Sequence, residues 1–167
     1  MKNIKFSRLF AAMMFVAVLS FAGCKQQPEE EKASIYGTWV SESATWTEKW
    51  EISDSELKNY GNGNLGYAGN SVEVVEISDT KGYIYIKYTR ASNPDWTYSE
   101  TAADVGKWYA LYYFDLTKDS VKISGATNYY NNGVSACDTL EEAKNEFTVE
   151  KDYMSEAVGH YSACTRE

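Results

Sequence analysis

Few residues in this chain could do chemistry. Its thiols are Cys24, Cys137 and Cys164, and its only imidazole is His160 near the C-terminus. A single histidine excludes a His-rich metal site, and a Ser-His-Asp triad would have to be built on His160. Neither G-x-S-x-G nor C-x-x-C occurs, so His160 reads as a surface or cap residue. Two carboxylates can hydrolyse a glycosidic bond. With 24 acidic residues in 167, however, accidental pairs are certain and none stands out. The expectation is a non-catalytic protein without metal or cofactor. What rises above background is aromatic content, 14 Tyr and 5 Trp. Flat rings with one polar tip suit lipids, sugars or protein surfaces. Trp46, Trp50, Tyr83, Tyr85, Trp108 and Tyr112 are the candidate ligand or partner contacts, with Tyr83 and Tyr85 expected to be exposed. The plainer alternative is that these rings fill the core and cover the sheet.

Cys24 has the most distinctive surroundings. Lys2, Lys5 and Arg8 precede an apolar run from Leu9 to Ala22, and Leu19-Ser20-Phe21-Ala22-Gly23 leads into the thiol. A basic start, a short apolar run and small residues form a secretory signal, too short for a comfortable membrane span. The cysteine directly after the small pair resembles the lipobox of bacterial lipoproteins. Phe21 stands where that family usually has Leu, a looser form resembling spirochaete lipoproteins. The resemblance implies cleavage before Cys24 and acylation of its thiol and new amino end. Several acyl chains on one residue hold a protein at a membrane where one chain does not. The implied place is extracytoplasmic, with the outer membrane favoured over the inner. In an oxidising compartment, Cys137 and Cys164 are expected to form a disulfide.

Three segments follow: residues 1–23 as signal, 24–33 as lipidated tether and 34–167 as one β domain. The tether, Lys25-Gln26-Gln27-Pro28-Glu29-Glu30-Glu31-Lys32, has nothing apolar to bury. The full chain carries a net charge of −8; cleavage removes three of its 16 basic residues and no acid. That leaves 13 basic against 24 acidic residues, a net −11. Such a balance argues against nucleic acid and against an anionic membrane surface as partners, and it favours solubility. A monomer is expected.

The elements that would position these residues read as strands. From Thr45 to Ile52, Trp46, Glu48, Trp50 and Ile52 fall on one face, the period-two pattern of a half-buried strand. Ser53-Asp54-Ser55 turns into a short strand, Glu56 to Tyr60. The Gly- and Asn-rich stretch 61–70 reads as a loop without phosphate-binding spacing. Val72 to Ser78, bulged, and Tyr83 to Thr89 form a hairpin about Asp79-Thr80-Lys81-Gly82. A long connection, 90–105, reaches Lys107 to Asp115, which is apolar on both faces and therefore central or turned toward a ligand. Ser120 to Ala126 pairs back. Thr139 and Glu142 form a capping box for a helix carrying Leu140, Ala143 and Phe147. Residues 147–149 read as a last short strand.

Seven or eight short strands in succession suggest an antiparallel up-and-down barrel with one late helix, a β-sandwich being the alternative. Gly37-Thr38-Trp39, on the first strand, resembles the Gly-x-Trp signature of lipocalins. The resemblance implies that Trp39 plugs the base of an eight-stranded barrel, with a later arginine over its ring; Arg90 and Arg166 are the candidates. A barrel of that size can hold one small ligand. The expected function is binding of a small apolar or amphipathic molecule. The alternative is a protein-interaction module with a filled core and an aromatic outer patch, and an internal cavity of about 300 Å³ or more separates the two.

Overall fold

The computed structural model describes residues 32–128 and 132–167. The expectations for the signal, for Cys24 and for all but the end of the tether lie outside these residues. The strands are β1 (Gly37–Glu42), β2 (Thr47–Ile52), β3 (Glu56–Gly61), β4 (Asn64–Ser78) and β5 (Lys81–Ser92). After them come β6 (Tyr98–Ser99), β7 (Trp108–Phe114), β8 (Ser120–Gly125), helix α1 (Leu140–Glu146) and β9 (Ser162–Arg166). Eight strands close an antiparallel ring, in which β4 pairs with β5 and β9 pairs with both β8 and β1. β6 is a short appendage on the end of β5. Around the ring each strand neighbours its successor, as the run of hairpins implies, and the architecture is the lipocalin-like barrel.

The closed end is built on Trp39, which is fully buried. Its indole Nε1 donates to the Ile35 carbonyl at 2.7 Å. Of the two candidate arginines it is Arg166 that covers the ring, its guanidinium 4.0 Å from the ring centroid. The guanidinium donates to the carbonyls of Ser34, Tyr36 and Lys118 at 2.6, 2.9 and 2.6 Å. Gly37 is required here: a Cβ would fall 2.3 Å from Arg166 Nη1, and its φ is +142°. Arg90 instead lies at the β5 end, donating to the carbonyls of Gly66 and Tyr98.

The stretch 61–70 is a strand rather than a loop. Only Asn62 and Gly63 turn, both at positive φ, the geometry of a tight two-residue hairpin. From Asn64 onward the chain is in β4, with a bulge where Ser71 adopts φ 54°. Gly69 is accommodated because the neighbouring strand is close: a Cβ would sit 2.8 Å from both Ile86 Cδ1 and the Lys87 carbonyl oxygen. Glycine-rich composition therefore marks close backbone approach in this stretch.

The barrel wall separates two cores. Trp39, Trp50, Ile52, Leu57, Ile84, Ile86, Leu111, Tyr113, Val121 and Ile123 pack inside. On the outer face, α1 and the chain after it cover Tyr85, Ala110, Tyr112 and Phe114 with Ala143, Phe147, Tyr153 and Met154. This explains why β7 is apolar on both faces. The capping box forms as expected: Glu142 N donates to Thr139 Oγ1 at 3.2 Å and Thr139 N to Glu142 Oε2 at 3.0 Å. Phe147 is the helix C-cap and is fully buried, so residues 147–149 form no strand.

The expected disulfide is absent. Cys164 belongs to the interior core and Cys137 to the outer one, and both are free thiols. Cys137 is held by main-chain bonds with Trp108 at 2.7 and 2.9 Å. Spacing along the chain carried no information about which side of the wall each would face.

Candidate functional site: the open end of the barrel

The end away from Trp39 is open. A cleft of about 500 Å³ enters it, lined by Glu48, Trp50, Tyr67, Trp96, Tyr109 and Ile123, with Gly125, Thr127 and residues 159–162 on the rim. The strand period dictates this lining. Glu48, Trp50 and Ile52 are in phase on β2, with Trp50 paired to Trp39 on one side and to Asn59 on the other. Tyr67 comes from β4, Tyr109 from β7 and Ser162 from β9.

The rings are interlocked. Trp50 Nε1 donates to the Tyr67 hydroxyl at 3.2 Å. Tyr67 meets Tyr109 edge-on at 5.5 Å, and Tyr109 stacks on Tyr88 at 5.0 Å. Tyr109 Oη donates to the Ala126 carbonyl at 2.9 Å. Burial pushes the phenols of Tyr67, Tyr88 and Tyr109 far above the ordinary tyrosine range, so they stay neutral. Trp96 stands at the rim, 83% exposed and at φ 65°. Its turn is fixed by Asp95 Oδ1, which accepts from the Thr97 amide at 3.1 Å and the Thr97 hydroxyl at 2.7 Å.

Glu48 is the charged group on this wall. Asn59 Nδ2 donates to its Oε1 at 3.0 Å and Ser162 Oγ to its Oε2 at 2.8 Å. Burial pushes its carboxyl above the usual range, and the two hydrogen bonds oppose the shift. No lysine or arginine among the described residues pairs with it. In that setting a carboxylate can accept hydrogen bonds or receive a positive charge.

Of the six aromatic contacts expected from sequence, Trp50 alone lines this cleft. Trp46 is exposed and lies over Gly61. The expectation that Tyr83 and Tyr85 are exposed is corrected: both face outward, but α1 and the chain after it cover them. Tyr85 is 2% exposed, with Lys144 Nζ 5.9 Å from its ring centroid, and the Val149 amide donates to the Tyr83 hydroxyl. Trp108 and Tyr112 belong to the same outer core, and the Tyr112 hydroxyl donates to Glu156 Oε1 at 2.6 Å. Sequence reasoning missed Glu48, Asn59, Tyr67 and Ser162 as site residues. For Glu48 the signal was present: a carboxylate in phase with Trp50 and Ile52 on an apolar face.

Among the described residues no group of three or more His, Cys, Asp or Glu is placed to hold a metal ion, and no helix is long and apolar enough to cross a membrane. A second hollow, about 560 Å³, lies between α1 and residues 134–138 on the outer surface. No protein-family model matches the chain, and neither does any curated protein or solved structure.

Proposed function

We propose that this protein is a lipid-anchored extracytoplasmic binder of a small amphipathic ligand, taken into the open end of its barrel. The observation that carries the reading is the cleft of about 500 Å³ walled by Trp50, Tyr67 and Tyr109. Its volume is in the range of small-molecule sites, and its mixed apolar and polar lining fits a molecule with an apolar body and a polar end. The competing interaction-module reading would use outward aromatic rings, and α1 with the chain after it covers Tyr83, Tyr85, Trp108 and Tyr112 among them. The anchor rests on the sequence around Cys24 and on the need for more than one acyl chain.

Native mass spectrometry of the full-length protein, extracted from its own membrane, tests the binding reading. A retained small molecule, lost when Trp50→Ala is introduced, is expected. A bare protein mass that no added lipid or amphiphile changes would overturn it. Cys24→Ser tests the anchor by phase partitioning: the variant should leave the detergent phase, and a variant that stays there with the wild-type mass removes the lipoprotein reading.

A further inference from the structure

Glu48 is placed where a carboxylate is costly. It lines a half-buried aromatic cleft, is inserted among Trp50, Tyr67 and Tyr109, and has no cationic side chain to neutralise it among the described residues. Burying an unpaired charge costs far more than burying an amide of the same shape. Two neutral donors, Asn59 and Ser162, hold its two oxygens. A carboxylate has room for about four hydrogen bonds, so acceptor capacity remains. The rings beside it add three π systems, the surface to which a cation is attracted. The chain as a whole is acidic, so its field draws cations toward the opening.

We infer that the cleft selects a cationic ligand, with an ammonium group held against Glu48 and an apolar body lying among Trp50, Tyr67 and Tyr109. The inference rests on the binding reading above and adds the charge of the ligand. The ammonium supplies the counter-charge that the fold withholds. Asn59 and Ser162 orient the carboxylate from β3 and β9, on either side of the opening. Trp96 adds a fourth, largely exposed ring at the rim.

Protonation should gate the site. Glu48 faces Tyr67, Tyr98, Tyr109 and Cys164, all pushed up by burial and by the Glu48 charge itself, so all remain neutral through the range in which Glu48 titrates.

The test uses three probes of one shape, 3-phenylpropylammonium, 3-phenylpropanol and 3-phenylpropionate, titrated calorimetrically into the full chain. Tighter binding of the ammonium than of the alcohol, by about tenfold or more, is expected, with the carboxylate weakest. In Glu48→Gln the preference for the ammonium over the alcohol should vanish. The same preference should weaken as pH falls in the wild type and be flat in the variant. Equal binding of ammonium and alcohol by the wild type overturns this inference and leaves the binding reading intact. An ammonium preference that survives in Glu48→Gln also overturns it. Failure of all three probes to bind overturns both readings. Circular dichroism of Glu48→Gln, expected to match the wild type, separates loss of the site from loss of the fold.

Discussion

At the scale of single residues, Glu48 and Trp39 play opposite parts. Trp39 fills the closed end and is capped by Arg166, so Trp39→Ala leaves a cavity the size of an indole. Its expected cost is about 3–5 kcal/mol, read from urea or guanidinium unfolding. A loss under about 1 kcal/mol would show that the closed end does not depend on the ring. Glu48 should behave in the reverse sense. Burial raises its carboxyl, so the folded chain binds that proton more tightly than the unfolded chain does. Its favourable contribution is present below the unfolded carboxyl range and is lost as pH rises through the folded value. Glu48→Gln should therefore be more stable than wild type near neutral pH, and the difference should shrink in acid. Glu51, Glu146 and Asp95 are held down by their partners and lose stability in acid equally in both proteins. The difference between the two denaturation series thus isolates Glu48, and a pH-independent difference would contradict the burial argument.

At the scale of elements, α1 is a cover. Seven residues are too few to be helical alone, and α1 is held by its capping box and by Ala143 and Phe147 on the barrel wall. Thr139→Ala removes the Glu142 amide's acceptor and should cost about 1 kcal/mol by denaturation. The barrel itself should remain intact, so the far-ultraviolet spectrum should be unchanged. Hydrogen exchange should quicken first in 140–154, the segment over Tyr85 and Tyr112. Uniform loss of protection around the ring would mean that the helix is part of the barrel's own cooperative unit. The late helix was readable from Thr139 and Glu142, because capping is local chemistry. Its docking site was not, because the outward apolar residues of β7 look the same whether a helix, a ligand or a partner covers them.

For the whole molecule, closure and the wall between the cores decide behaviour. β9 joins the last strand to the first, so deleting residues 162–167 exposes the edges of β1 and β8 and removes Arg166 from Trp39. The truncated chain should lose its sharp unfolding transition and gain a tendency to aggregate, as unprotected sheet edges do. A truncation that unfolds as cooperatively as wild type would show that the ring does not need β9. The same wall keeps Cys137 and Cys164 apart. Peptide mapping of denatured, unreduced protein should find both alkylated. In the native state both should react slowly, since burial pushes their thiols up to about 11 and about 12. A recovered disulfide-linked peptide pair would contradict the arrangement.

Period-two strands in a run of hairpins determined an antiparallel all-β fold, because each hairpin is specified by neighbours in the chain; the pairing of β9 with β1 decided for the barrel over the sandwich. Alternation on β2 also placed Glu48, Trp50 and Ile52 on one face. Tertiary structure alone decided that this face is the inside, that Arg166 rather than Arg90 covers Trp39, and that Tyr83, Tyr85, Trp108 and Tyr112 lie beneath a helix. It also decided that glycines in 64–70 sit within a strand, where β5 leaves no room for a Cβ at Gly69 and β3 lies close at Gly66. The physical reason is the same throughout. Local sequence sets the alternation of side chains, while ring closure and docking of distant segments set which face meets water, core or cleft.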